Sequence, residues 1–264
     1  MKKYLEIARA YMKAQLIWRA DVFVDVILSV AKILFAWILW SILFEEKEQI
    51  AGLEFHTMIS YYIISSYLFQ MEKSAEISQQ MTGMLRNGTF SKYMVIPVQT
   101  QGYFVAMEVG KLAFSSGIGF LATVLWFCLF RISIVHTVNW KILLCGMIMV
   151  VLGLLFMALL NYFLGILTLK FEEISTFLMI KDNLSAVVTG AVIPLALLPE
   201  WMTAGMRFLP FYYVTYLPSM LFIGKCEEEA VTGLFVLSIW CMFFLVLNQV
   251  TYEHYRMKYD GAGI

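Results

Sequence analysis

The sequence predicts an all-α integral membrane protein, and its composition and the spacing of its apolar runs are the two observations that predict this class. Of its 264 residues, 61% are hydrophobic and only 14% are charged, and the mean hydropathy is +0.77. Such a chain has too little polar surface to solvate a globular fold of this size. Its apolar residues fall in long runs with short connections, which use most of the length. We therefore expect one membrane domain over residues 1–264 and no separate soluble domain.

The apolar runs predict six transmembrane helices, because a helix needs about 20 residues to cross roughly 30 Å of hydrocarbon. The second run is shorter than this and crosses only with help from its flanking residues. An even number of spans places both termini on the same side of the membrane. The predicted spans cover residues 22–44, 57–71, 103–130, 141–169, 174–198 and 231–252.

The residues ahead of the first span predict an amphipathic helix. Lys2, Glu6, Arg9 and Lys13 share one helical face, and apolar and aromatic side chains lie towards the other. A helix of this kind suits the plane of the lipid headgroups, where basic side chains meet anionic lipids. The alternative is an ordinary charged leader ahead of the span. We expect an interfacial helix over residues 1–20.

Basic residues are unevenly divided between the two sides of this topology. The side with both termini carries eleven, namely Lys2, Lys3, Arg9, Lys13, Arg19, Lys73, Arg86, Lys92, Lys170, Arg256 and Lys258. The other side carries five, namely Lys47, Arg131, Lys141, Arg207 and Lys225. Because short cytoplasmic loops are enriched in Lys and Arg, both termini are predicted to lie in the cytoplasm. We expect a multi-pass protein of a cell membrane, such as a bacterial inner or cytoplasmic membrane.

Residues 73–100, called here the 73–100 segment, form a polar interruption between the second and third spans. Ile77, Met81, Met84 and Leu85 stand at i, i+4, i+7 and i+8, which predicts one apolar helical stripe. The pair Asn87-Gly88 predicts the end of that helix. A second short element over residues 90–95 ends before Pro97, because the residue before a proline leaves the helical region. The stripe fits either a lipid surface or a groove on a soluble partner.

Two stretches of the chain resemble the permeases of ATP-binding-cassette (ABC) exporters of type 2. "MLRNGTFSKYMVIPVQ" resembles the segment of that family in which an amphipathic helix, a glycine turn and a proline precede the third span. "LSAVVTGAVIPLALLPEWMTAGMRFLPFYYVTYLPSMLFIGK" resembles its fifth span and the hairpin that follows. Methionine stands at position 94, where the family often has leucine. With the six-span plan, the resemblance covers essentially the whole chain.

The resemblance implies a permease that pairs with a second permease subunit, identical or different, and with two cytoplasmic ABC ATPase subunits. In that family the element after the second span is the coupling helix, which docks on the ATPase. Carried over, the docking candidates are Glu76, Met81, Met84, Leu85, Arg86, Phe90 and Tyr93. The sequence has no Gly-x-x-x-x-Gly-Lys-Ser/Thr loop to cradle phosphates, so we expect ATP and magnesium to bind to the partner ATPase. This chain is then not itself an enzyme and binds no cofactor.

Residues 199–230 predict an outer, re-entrant hairpin before the last span. Prolines end helices and aromatic side chains anchor at the membrane interface, and both are concentrated here. The candidate residues are Trp201, Pro210, Phe211, Tyr212 and Pro218. In the family that the chain resembles, this hairpin caps the exit of the translocation path.

Ionisable residues within the predicted spans are candidates for the translocation path, because such groups usually face a bundle interior or a cavity. They are Asp25, Lys32, Glu108, Lys111, Lys181 and Asp182. Asp25 and Glu108 could instead lie near the cytoplasmic boundary and pair with Lys32 and Lys111. Lys181 and Asp182 could line the path, or residues 171–183 could form an interfacial helix.

The function predicted from the sequence is ATP-driven export of an amphipathic or hydrophobic substrate by alternating access. Drugs, peptides, lipids and glycans are all possible substrates. An intramembrane enzyme is an alternative, but the three His residues fall in separate segments, and the sequence has no His-Glu-x-x-His or Gly-x-Ser-x-Gly motif. A channel is a further alternative, although no filter-like loop is present. The balance of 19 basic and 19 acidic residues gives no indication of a nucleic-acid partner.

Overall fold

The computed structural model describes residues 2–17, 19–130, 135–171, 173–190 and 194–257, and these residues confirm the all-α class. The α-helices are α1 (Lys2–Gln15), α2 (Arg19–Leu43), α3 (Phe55–Met71), α4 (Ala75–Arg86), α5 (Ser91–Val95), α6 (Thr100–Phe130), α7 (Trp140–Leu167), α8 (Ser175–Val188), α9 (Glu200–Met206), α10 (Tyr216–Phe222) and α11 (Ala230–Arg256). Short 3-10 turns cover Leu195–Leu197, Pro210–Tyr213 and Glu227–Glu229.

Four of the described helices are long and apolar enough to cross a membrane. The apolar stretches are Val26–Leu43, Thr100–Leu121, Trp140–Leu167 and Glu227–Arg256, and they correspond to the predicted first, third, fourth and sixth spans. The helices α3 and α8 have 17 and 14 residues. At 1.5 Å per residue they extend about 26 Å and 21 Å, short of the roughly 30 Å hydrocarbon core. The chain is thus a multi-pass membrane protein, and the count of six spans stays a prediction.

The predicted fifth span breaks near its middle, where the local sequence contains a glycine and a proline. Helix α8 ends at Val188, and Gly190 has a φ of +70°, in the left-handed region that favours glycine. The Tyr61 hydroxyl of α3 donates a hydrogen bond of 3.0 Å to the carbonyl oxygen of Gly190. Pro194 then precedes the 3-10 turn. The described residues of the predicted span 174–198 therefore form a short helix, a glycine bend and a turn.

Helix α7 is the centre of the bundle, and α11 lies beside it in the same direction. The Cys241 thiol approaches the Leu152 carbonyl oxygen at 3.5 Å. Further along both helices, the Asn248 amide donates to the Leu159 carbonyl oxygen at 3.0 Å. Between these contacts, Phe244 meets Phe156 edge to face with ring centroids 5.7 Å apart. The same pairing order along both helices shows that they run parallel.

These contacts define two ends of the bundle. The α4 end holds α4, α5, the start of α6 and the ends of α7 and α11. At the opposite end, the Thr137 N–H donates to the Phe222 carbonyl oxygen at 2.8 Å, and the Thr137 hydroxyl donates to a Glu227 carboxylate oxygen at 3.4 Å. Both chain ends that the structure describes, α1 and the last turn of α11, lie at the α4 end.

The residues of the predicted outer hairpin divide between surface and core. Trp201 is 75% exposed. Phe211 and Tyr212 are buried in the main core cluster, and Pro210 and Pro218 are buried as well. These four residues therefore pack inside the protein, and the re-entrant hairpin itself stays a prediction. The Tyr212 hydroxyl donates to Glu229 at 3.0 Å, which ties this region to the start of α11.

Helix α1 packs along α6 where α6 carries two glycines. A Cβ atom added at Gly110 would lie 2.2 Å from the Ala8 carbonyl oxygen, and one at Gly102 would lie 2.7 Å from the Tyr4 ring. Small residues allow two helix backbones to approach closely in this way. The same two helices are also joined by a hydrogen bond of 2.8 Å between the Tyr11 and Tyr103 hydroxyls. The predicted interfacial helix is therefore attached to the bundle.

We expect Gly110→Leu to displace α1 from α6, because the new side chain would overlap the Ala8 backbone. Maleimide labelling of a cysteine introduced by Ala8→Cys measures this, and should be several times faster in the Gly110→Leu background. Gly117→Leu is the matched control, since Gly117 lies on the same helix and faces open space. Equal labelling rates in the two backgrounds would contradict the packing of α1 on α6.

Candidate functional site

The 73–100 segment is an ordered element whose first helix ends as the sequence predicts. Gly88 has a φ of +68°, the Gly88 N–H donates to the Leu85 carbonyl oxygen at 3.2 Å, and the Thr89 N–H donates to the Met84 carbonyl oxygen at 2.9 Å. This pair of hydrogen bonds around a left-handed glycine is the Schellman motif. It confirms that Asn87-Gly88 ends α4.

The second part of the segment also follows the prediction. Helix α5 ends at Val95, and Ile96 is extended with a ψ of 134°, as the following Pro97 requires. Val95 is 83% exposed, whereas Tyr93 is buried against Tyr103, with ring centroids 5.0 Å apart. Short as it is, α5 has one buried side and one exposed side.

The apolar stripe of α4 faces the protein's own helices. Ile77, Met81 and Leu85 are all 0% exposed and belong to a core cluster with residues of α6 and α7. The approach of α4 to α7 is close, because a Cβ atom added at Gly165 would lie 2.9 Å from Met81. The stripe therefore already has a partner within the chain, which is neither lipid nor a second protein.

Three of the seven docking candidates are consequently fully buried. Met81, Leu85 and Phe90 are 0% exposed, so they support the segment from within, and a protein bound to its outer face would meet other residues. Tyr93 is buried too, at 6% exposed. Glu76, Met84 and Arg86 are partly exposed.

The outer face of α4 consists of residues that were not among the seven docking candidates of the sequence analysis. Gln79 and Asn87 are exposed, and a Cβ atom added at Gly83 would meet nothing within 4 Å. These residues stand at i, i+4 and i+8, which is the spacing of one helical face. Their spacing, opposite the apolar stripe, is the signal that could have identified them.

A buried hydrogen-bond network attaches the start of α4 to the last third of α7. The Asn161 amide of α7 donates to the Ser74 hydroxyl at 2.7 Å and to the Met157 carbonyl oxygen at 3.0 Å. The Ser78 hydroxyl donates to the Asn161 side-chain oxygen at 3.4 Å. Glu72 accepts hydrogen bonds from the Ser74 N–H, at 2.9 Å, and from the Ser74 hydroxyl. Asn161 and Ser78 are no more than 1% exposed, so these polar groups depend on one another.

Two ion pairs connect α4 to further parts of the chain. The ammonium group of Lys111, in α6, is paired with the Glu76 carboxylate, and the Lys111 side chain is only 5% exposed. At the other end of α4, Arg86 contacts Glu173 at 2.5 Å. Between them, the hydroxyls of Thr82 and Thr168 are 3.0 Å apart. Helix α4 is therefore attached to α6, to α7 and to the connection between α7 and α8.

The electrostatic environment of Glu173 favours its charged form. The Ser175 backbone N–H, followed by the Arg86 guanidinium, lowers the pKa of the Glu173 carboxyl to about 2. Both donors bind the carboxylate oxygens directly, at 2.9 Å for Ser175 and 2.5 Å for Arg86. The Arg86–Glu173 pair is exposed to solvent, so it adds little to the stability of the fold and mainly orients the end of α4 towards the segment before α8.

The ionisable candidates for the translocation path do not form one cluster in the described residues. Glu108 and Lys111 are buried on α6 beneath α4. Lys181 is buried and pairs with its neighbour Asp182 at 2.5 Å. Lys32 is exposed on α2. The side chain of Asp25 lies outside the described residues.

A comparison with protein-family models finds one that matches almost the whole chain. The model described as "ABC-2 family transporter protein" matches residues 30–263. This range includes the 73–100 segment, α7 and the region of residues 199–230. Comparisons with curated proteins and with solved structures find no match.

We expect Asn161→Leu to loosen α4, because it leaves Ser74 without its donor in a buried site. Leaving a buried polar group unpaired costs about 1–3 kcal/mol, which corresponds to amide exchange in α4 roughly ten times faster or more if opening is local. Hydrogen–deuterium exchange with mass spectrometry measures this. Gln79→Leu on the exposed face of α4 is the control and should leave exchange unchanged. Unchanged exchange in Asn161→Leu would show that the network does not hold the helix.

The Glu173 contact predicts a pH dependence with a definite sign. Because the folded-state pKa is lowered, the stabilisation is present above the ordinary value of about 4.3 and is lost as the pH falls through about 2. Arg86→Gln should raise the pKa of Glu173 only part of the way, since the Ser175 N–H remains. Carbon-13 NMR titration of the carboxyl measures the shift. Arg9→Gln, which removes an exposed pair on α1, should not change it; an ordinary pKa in the unaltered protein would refute the contact.

Proposed function

Because the chain belongs to the ABC-2 family of transporter proteins, we propose that the outer face of α4 is where the ATPase docks. A member of this family is a membrane-embedded permease of an ABC transporter and works with an ATPase partner. The family match confirms the resemblance identified from the sequence. Under this proposal the chain is one permease of an exporter with two permease and two ATPase subunits. ATP and magnesium bind to the ATPase subunits.

The observation that carries the proposal is that α4 has one face fixed within the bundle and one face open. The inner face is held by fully buried side chains and by Asn161 of α7. On the outer face, Gln79 is exposed and Gly83 borders open space. A rigid helix attached to α6 and α7 in this way transmits a displacement of its outer face to both. This is the requirement for coupling ATP-driven closure of the ATPases to alternating access.

The direction and substrate of transport are also part of the proposal. We infer export of an amphipathic or hydrophobic substrate. An apolar cavity of about 280 Å³ between α3, α6 and α7 supports this substrate class, and Ile63, Leu68 and Met147 are among its lining residues. The excess of basic residues at the α4 end supports a cytoplasmic location for this end and for both termini.

The test places a large side chain on the outer face of α4, at a position where an added Cβ atom meets nothing within 4 Å. Gly83→Trp adds its side chain in open space and should abolish copurification with co-expressed ABC ATPase subunits and remove vanadate-sensitive ATP hydrolysis. Membrane insertion should stay normal, because no buried contact changes. Gly205→Trp on α9 is the matched control, since Gly205 also faces open space, outside the 73–100 segment.

Two results would contradict the proposed docking face. One is ATPase association that survives Gly83→Trp, which would move docking to another surface. The other is equal loss in Gly83→Trp and Gly205→Trp, which would indicate a general defect in assembly. Both variants should appear in the membrane at the same level as the unaltered protein, as judged by immunoblotting of washed membranes.

A further inference from the structure

A cavity of about 470 Å³ opens at the α4 end, beside the path just described for coupling. Its wall combines three parts of the chain: the residues from the end of α5 to the start of α6, the last turns of α11, and Lys3 of α1. Tyr162 of α7 also lines it and donates a hydrogen bond of 3.0 Å to the Thr100 hydroxyl. This volume is sufficient for a small polar molecule or a lipid headgroup.

Two polar atoms of the cavity wall have unmet hydrogen-bonding capacity. Asn248 is 0% exposed, and its amide nitrogen donates to the Leu159 carbonyl oxygen at 3.0 Å. The described residues supply no donor for the Asn248 side-chain oxygen and no acceptor for the Gln101 side-chain nitrogen, although both atoms are buried. Buried polar atoms of a folded protein are nearly always paired, so an unpaired acceptor and an unpaired donor in one cavity indicate a ligand that offers both.

The charged residues of the cavity wall are predominantly basic and exposed. Lys3 and Arg256 both line it, as does the acidic Glu253. The Lys3 ammonium donates one hydrogen bond, of 2.6 Å, to the Pro97 carbonyl oxygen, which holds it at the cavity while two of its protons stay available. The Arg256 guanidinium lies 5.9 Å from the centre of the Tyr252 ring. Two cations that line a polar cavity fit an anionic oxygen group.

We propose that this cavity binds a phosphate-bearing polar group that also carries hydroxyl or amine donors. Lys3 and Arg256 bind the phosphate oxygens, Asn248 accepts a hydrogen bond from the hydroxyl or amine, and Gln101 donates to an oxygen of the ligand. Glu253 adds a second acceptor for the donor group. The chemistry is that of a glycerol-phosphate or ethanolamine-phosphate headgroup, and a quaternary ammonium headgroup lacks the N–H or O–H that Asn248 requires.

The experiment uses the purified full chain in detergent, without an ATPase, so that its outcome does not depend on the proposed docking. Calorimetric titration with short-chain phosphatidylglycerol should give saturable binding, and short-chain phosphatidylcholine should bind about tenfold more weakly or not at all. Glycerol 3-phosphate forms a third arm. If glycerol 3-phosphate binds as tightly as the lipid, the ligand of the cavity is a soluble phosphate compound. If only the lipid binds, the ligand is a lipid headgroup of the membrane.

Variants test whether the named residues form the site. Lys3→Gln combined with Arg256→Gln should weaken phosphatidylglycerol binding about tenfold or more, because each removes a charge-assisted hydrogen bond. Asn248→Leu should reduce the preference for phosphatidylglycerol over phosphatidylcholine. Arg9→Gln combined with Lys13→Gln removes the same charge from the exposed surface of α1 and should leave affinity within twofold.

Three outcomes would overturn the proposal. The first is the absence of saturable binding in every arm. The second is equal weakening by the two double variants, which would reduce the effect to general surface charge. The third is equal affinity for phosphatidylglycerol and phosphatidylcholine in the unaltered protein, which would remove any role for Asn248. Circular dichroism of each variant checks that the helices are retained.

Discussion

The attachment of α4 to α7 is the interaction on which the arrangement of the α4 end depends. Asn161 would be unfavourable in the middle of an apolar helix without partners, because a buried amide left unpaired is destabilising. Ser74 and Ser78 supply those partners, at 2.7 Å and 3.4 Å. One turn further along α7, Gly165 lets Met81 approach closely. Polar pairing and close packing thus fix α4 at two points of the same helix.

Buried charge adds a third point of attachment, on α6. A lone ammonium at the position of Lys111 would be costly, because it is only 5% exposed. Glu76 of α4 supplies the compensating charge, so the pair is worth most when α4 stays in place. The Lys111–Glu76 ion pair therefore favours the one position of α4 in which Glu76 reaches Lys111.

The sequence was sufficient to predict the parts of the fold that local chemistry decides. Apolar runs, Asn87-Gly88 and Pro97 act within a few residues, and most helices and their ends follow them. The predicted fifth span is the exception, because α8 ends at Val188 and Gly190 turns the chain. The direction of the α4 stripe could not be predicted, because amphipathicity shows that a face is covered but not by what. The pairing of Lys111 with Glu76 joins residues 35 positions apart, and no local pattern encodes it. Asn161 stands as a single polar residue within an apolar run, and Asn248 follows such a run directly, so both were available signals.

The close contact of α1 with the bundle has a practical meaning for work on this protein. Lys3 is hydrogen bonded to the Pro97 carbonyl oxygen, and a few residues later Ala8 lies against Gly110. An affinity tag or fluorescent protein fused directly to the first residues would press on the loop that follows α5. A purified fusion could then differ from the untagged chain for reasons of geometry alone. Carrying the tag on a long flexible spacer, or removing it before assay, avoids that perturbation.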